Sequence, residues 1–161
     1  MTKIKGRNVL FIVNASNRYT IAMTDIEPRN WNYYTMYIRS VIQGVMQEMG
    51  YSEDQIRKYF KMSGDTTVTK THGRKSVGGI NRMVMDAQYF GKKLEKEAKY
   101  QWELNEYLNR DICQPEGFDT YGYPSELFKL DMERLGIISK RKPAKIIDFT
   151  KYIDTNRSTN H

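Results

Sequence analysis

Thr66-Thr67-Val68-Thr69-Lys70-Thr71-His72-Gly73-Arg74-Lys75-Ser76-Val77-Gly78-Gly79-Ile80-Asn81-Arg82-Met83 reads as a short strand that runs through a basic, glycine-bearing turn into a helix. Thr66 to Thr71 alternates as a strand does, Gly73 punctuates, and Val77, Ile80, Val84 and Ala87 then recur at helical spacing. The stretch holds four cations, Lys70, Arg74, Lys75 and Arg82, and no Asp or Glu. Free backbone N–H groups at a helix start, set among such cations, are the ordinary chemistry of an anion site. Gly78 and Gly79 weaken the first helical turns and invite close approach by a ligand or another backbone. The competing interpretation is a solvated basic loop.

Upstream, Val9-Leu10-Phe11-Ile12-Val13, turn residues Asn14 to Asn17, and Tyr19-Thr20-Ile21-Ala22-Met23 give an antiparallel hairpin. Tyr34, Tyr37, Ile38, Val41, Ile42, Val45, Met46 and Met49 then fall three and four apart, an amphipathic helix stopped by Gly50. Ser52 before Glu53, Asp54 and Gln55 caps a second helix that ends near Gly64. Downstream of the basic turn, Leu94 and Ala98 continue the apolar spacing and predict a long helix. Trp102, Leu104, Leu108 and Ile112 predict another, closed by Pro115-Glu116-Gly117, with Cys113 as a buried helical residue. Pro124 and Ser125 start a last helix that carries Leu127, Phe128, Leu130 and Leu135 and stops at Gly136. The fold class is therefore α+β: a small antiparallel sheet, made of the hairpin plus a third strand, packed against amphipathic helices, with a helical C-terminal half. Residues 1–136 read as a single domain and 137–161 as a basic tail.

The chain has 161 residues, 39% of them hydrophobic, enough for a folded core. Its net charge of +7 is uneven. Residues 84–136 carry seven cations against eleven acids, whereas 137–161 carry six against two. Such a two-faced surface suits acidic partners, phosphate-rich ones above all. One cysteine excludes an internal disulfide and fits a reducing interior. The five-residue run Val9–Val13 is far short of a signal-peptide core, and no span approaches the ~20 apolar residues of a membrane helix. A cytoplasmic protein is expected, with no membrane partner.

Catalytic material is sparse. The two histidines, His72 and His161, cannot furnish a histidine-based metal site or a nucleophile triad. Gly73-Arg74-Lys75-Ser76 lacks the spacing and the Gly-Lys-Ser/Thr run of a phosphate-binding loop. A metal-dependent nuclease would need converging carboxylates, for which Asp25, Glu27, Asp65 and Asp86 are the candidates beside predicted strands. No cofactor and no metal site is expected. Tyr34 and Tyr37 lie on the core stripe, while Tyr33, Tyr121 and Tyr123 are the aromatics best placed to stack on bases. Lys140, Arg141, Lys142 and Lys145 in the tail would add phosphate contacts.

The segment Thr69-Lys70-Thr71 with Arg74, Gly78 and Asn81, together with Leu10 to Ile21, Leu108-Asn109 and Tyr123-Pro124, resembles a small bacterial family of unknown function. The likeness runs from about residue 5 to 136, and its members resemble plasmid, phage and other mobile-element accessory genes. This chain departs from the family pattern with Lys75 in place of a small hydroxyl residue and Arg82 in place of an acid, both changes adding positive charge.

Three functions follow as expectations. The first is a non-enzymatic accessory protein that binds nucleic acid or a nucleoprotein complex through Lys70, His72, Arg74, Lys75, Asn81 and Arg82. The second is an anti-defence inhibitor, similar in role to anti-CRISPR proteins, that binds a host protein. The third is a small nuclease using Asp65 or Asp86. Apolar faces after Trp102 leave a homodimer open.

Overall fold

A computed structural model describes residues 2–26, 31–65 and 73–139, with the backbone alone for 31–33. Among these residues the chain forms β1 (Thr2–Ile4), β2 (Arg7–Val13), β3 (Thr20–Thr24), α1 (Trp31–Glu48), α2 (Glu53–Ser63), α3 (Arg74–Gln88), α4 (Trp102–Asn109) and α5 (Pro124–Arg134). The strands make an antiparallel sheet in the order β1-β2-β3.

β1 and β2 are joined by the two-residue turn Lys5-Gly6, both at positive φ (48° and 82°), the twist that a tight hairpin needs. In β2 and β3 the side chains alternate between two apolar layers. Val9, Phe11, Val13 and Ala22 face Met83, Ala87, Leu104 and Leu108 of α3 and α4. Leu10, Ile12, Ile21 and Met23 face Tyr34, Ile38, Val41 and Val45 of α1. The unbroken apolar run Val9–Val13 is explained by this burial on both faces. A third cluster joins α1, α2 and α5 through Met46, Ile56, Phe128 and Met132, and Ile137 closes it.

The local signals at the helix ends hold. Ser52 and Gln55 form a reciprocal capping box on α2, Gly50 sits at φ 84° just past α1, and Pro124 opens α5.

A third strand joins the hairpin, as expected, and among the described residues it is Thr2–Ile4; the expected strand Thr66–Thr71 lies outside the described residues. Two expectations require correction. The long helix stops at Gln88, so Leu94 reaches the core from an irregular segment. That segment is fixed by polar contacts instead of helical bonds. Buried Gln101 accepts from the Glu95 N–H (2.8 Å) and donates to the carbonyls of Glu95 (3.0 Å) and Ala98, while Lys5 Nζ donates to the Lys92 carbonyl (2.8 Å). Finally, α4 ends at Asn109. Ile112 is exposed, and Cys113 is half-buried in extended backbone bridged to Gly122 (Cys113 N to Gly122 O, 3.0 Å). No helix among the described residues is long and apolar enough to cross a membrane.

The outer edge of β3 meets α4 side on. Asn109 accepts from the Thr20 N–H (2.8 Å) and donates to the Thr20 carbonyl (2.7 Å), so its amide pairs like one residue of a missing strand. Asn105 Oδ1 accepts from the Ala22 N–H, and the Gln101 and Lys99 backbones bond Ala22 and Thr24.

Candidate anion-binding face at the start of α3

α3 buries Met83 and Ala87 and half-buries Ile80 and Val84 against the sheet. Its 3.6-residue period therefore turns Arg74, Gly78, Asn81, Arg82, Met85 and Tyr89 outward along one exposed stripe, with Lys75 beside it. Four of the expected site residues, Arg74, Lys75, Asn81 and Arg82, are thus exposed on one helix. Lys70, His72 and the tail residues Lys140, Arg141, Lys142 and Lys145 lie outside the described residues.

The helix begins at Gly73 with no side-chain cap of its own. A carboxylate arrives from elsewhere: Ser76 Oγ donates to Glu116 Oε2, and a Cβ at Gly73 would lie 3.3 Å from the same oxygen. A negative charge at a helix N-terminus is favourable, so the fold supplies an acid that residues 66–83 lack. Arg82 is likewise tempered, by Asp86 one turn on (3.4 Å).

The fold also adds a cation. Arg18, at φ 65° in the β2–β3 connection, lays its guanidinium across Gly79, where any Cβ would overlap it. At Gly79 the close approach is made by this side chain instead of by a ligand or another backbone, and a Cβ at Gly78 would meet nothing within 4 Å. Its position is fixed by a densely bonded turn. Asn14 Oδ1 accepts from the Ser16 N–H (2.9 Å), Asn17 Oδ1 from the Tyr19 N–H (2.9 Å), and buried Asn17 Nδ2 donates to Asp131 (2.7 Å). The Gly117 N–H donates to the Ser16 carbonyl (2.9 Å), tying the Glu116 loop to the same turn.

Arg18, Arg74 and Lys75 form no ion pair among the described residues, whereas Glu116 and Asp86 are each engaged by one helix side chain. The face keeps net positive charge. Close by, burial pushes the Cys113 thiol upward in pKa, with Arg18 pulling it part of the way back. Among the described residues no group of three or more His, Cys, Asp and Glu could hold a metal ion. Asp65 stands just past α2, on a different element from Asp86. Of the stacking candidates, Tyr121 and Tyr123 are exposed.

Arg18 and Glu116 were not among the residues expected at the site. Arg18's signal in the sequence is only a cation in an Asn-rich turn; its counterpart in α3 is the Gly78-Gly79 pair. Glu116, between Pro115 and Gly117, carries no signal that separates it from other loop acids.

These features define a small α+β protein with helices on both faces of a three-stranded antiparallel sheet and a cationic helix start on its surface. Residues 1–127 match the family described as a domain of unknown function, DUF6933, and the chain belongs to that family. The match spans the sheet, α1 to α4, Arg18, the α3 face and Glu116. No curated protein and no solved structure matches the chain.

Proposed function

We propose that this chain is a non-enzymatic accessory protein of the mobile-element or phage kind, acting in the cytoplasm, that binds nucleic acid or a nucleoprotein complex through the start of α3. The observation that carries this is the trio Arg18, Arg74 and Lys75. Arg74 and Lys75 stand exposed at the helix start, Arg18 from the β2–β3 connection lies across Gly79 in the second turn, and none of the three is ion-paired among the described residues. Cations of that kind exchange counterions for phosphates, which makes affinity fall steeply with salt. Lys70 and His72 adjoin them in sequence, and Lys140, Arg141, Lys142 and Lys145 would extend the contact.

The test is binding of labelled single- and double-stranded DNA and RNA over a salt series. Arg74→Gln/Lys75→Gln should weaken every sequence alike and reduce the slope of log K against log salt by roughly 2 for duplex DNA. No binding of the natural sequence at low salt would overturn the proposal.

A second function, a protein-binding anti-defence inhibitor, has one observation in its favour: the stripe that starts with Arg74 ends on exposed Met85 and Tyr89 (60% and 78% exposed). Such a face fits a protein partner better than a phosphate backbone. That function requires a stoichiometric complex with a host protein that survives nuclease treatment and is lost in Met85→Glu/Tyr89→Ala. A nuclease has no comparable support, since Asp86 is held by Arg82 on the same helix.

A further inference from the structure

The stripe that α3 turns outward changes character along its length. Arg74 stands at its start and Arg82 two turns on, and Gly78 between them carries no side chain, its Cβ position opening on empty space. Met85 and Tyr89 end the stripe, 60% and 78% exposed. Tyr89 keeps helical backbone (φ −86°, ψ 0°) just past Gln88, so it continues the stripe one turn beyond Met85. From Met83 to Gly91 the sequence holds no cation, and its only acid, Asp86, is paired at the flank of the stripe with Arg82. Phosphates therefore find partners over the first half of the stripe alone. The second half offers apolar surface and one flat ring.

That ring is idle in the fold. Among the described residues Tyr89 stacks on no other aromatic and its hydroxyl bonds no protein group. A duplex keeps its base faces inside its own stack and meets such a surface mainly through phosphate and sugar, for which Met85 and Tyr89 have no complement. A single strand carries both chemistries, a charged backbone for the cations and free base faces that stack on aromatic rings whatever their sequence. Arg74 to Tyr89 covers about 22 Å at the rise of an α-helix, room for several nucleotides in a row.

We propose that the nucleic acid taken by this face is single-stranded. Its backbone runs over Gly78 between Arg74 and Arg82, with Arg18 beside it, and a base stacks on Tyr89 against Met85. Charge complementarity selects the strand at one end of the stripe, and the exposed ring selects open bases at the other. The inference rests on the reading of α3 as a nucleic-acid face and narrows it to one class of nucleic acid.

The test uses the full chain with labelled oligo-dT, oligo-U and an oligo-dA·oligo-dT duplex of the same length, each over a salt series. At least one of the two single strands should bind about tenfold more tightly than the duplex. Tyr89→Ala should cost that strand about tenfold in affinity, the worth of one stacked base. It should leave duplex binding and the slope of log K against log salt unchanged, because no phosphate contact is lost. Tyr89→Phe keeps the ring and should keep the affinity. If the duplex binds as tightly as both single strands, or if folded Tyr89→Ala binds the single strand undiminished, the inference falls while the nucleic-acid reading stands. If nothing binds at low salt, both fall. Should Tyr89→Ala not fold, Tyr89→Gln and the preference of the natural sequence for single strands still decide.

Discussion

The outer edge of β3 and the start of α3 are both places where a regular element leaves backbone groups unpaired, and the chain treats them in opposite ways. At the β3 edge every such group of Thr20, Ala22 and Thr24 that the structure pairs is met by a committed neighbour: Asn109, Asn105, or the backbone of Gln101 and Lys99. The side chains that do this are buried, and Gln101 alone makes four hydrogen bonds. Along α3 a borrowed carboxylate, Glu116, is held by Ser76 and Asp86 pairs with Arg82, while Arg18, Arg74 and Lys75 remain without an ion pair among the described residues. Polar groups that are buried and saturated hold a fold together, since leaving one partner orphaned is expensive. Exposed charges without partners add little to stability, so their placement needs another reason. The contrast separates the structural half of the polar chemistry from the half available to a partner.

That contrast can be broken most forcefully at the edge. Asn109→Leu strands the Thr20 N–H and carbonyl in the interior, and at roughly 1–3 kcal/mol per orphaned group the loss should be about 3 kcal/mol in urea unfolding. A loss below 1 kcal/mol would mean that the edge is not sealed by this amide.

The next effect is of pH. Tyr19, Tyr51, Tyr59 and Tyr100 all have pKa values raised chiefly by burial, Tyr19 to about 12. The unfolded chain releases these protons near pH 10 while the folded chain still holds them. Their contribution is therefore complete below pH 10 and is lost as pH climbs through the raised folded-state values, about 12 for Tyr19. The urea midpoint should fall across that window, and Tyr19→Phe should flatten the fall.

Gly79→Ala acts on the other side of the comparison. The new methyl displaces only the end of Arg18, and the helix gains up to about 1 kcal/mol of propensity, so thermal stability should hold or rise while affinity for nucleic acid drops. Reduced stability would show Arg18 to be a packing element. Smallest is the stability change in Arg74→Gln/Lys75→Gln, expected within about 0.5 kcal/mol in urea unfolding despite the lost affinity.

What could be read from the residues followed the range of the forces involved. α1 and α2 announce themselves because their apolar stripe, Ser52, Gln55 and Gly50 act within a turn of where they stand. The short strand Thr2–Ile4 is silent alone, since its conformation comes from pairing with β2. Leu94 and Ala98 fell on the helical period of α3, and only Gln101, across the segment, shows why the backbone there bonds differently. The stripe of Arg74, Asn81 and Arg82 was legible through helical geometry. Arg18 and Glu116 reach α3 from about sixty and forty residues away, and no local pattern encodes that meeting. Asn105 and Asn109 carried a faint sign, two amides one turn apart beside Leu104 and Leu108, residues that rarely favour a helix interior without a bond to make.

A sheet usually invites company at its margins, where an outermost strand can recruit a foreign peptide or a second copy of itself. Here the amides of α4 imitate the next strand and then stop. A side chain can answer the pairing rules of a neighbour but cannot pass the pattern on. Thr20 and Ala22, topologically at the border, should then keep their amide protons against deuterium as stubbornly as residues in the middle of a sheet, and assembly by strand addition is turned away on that side.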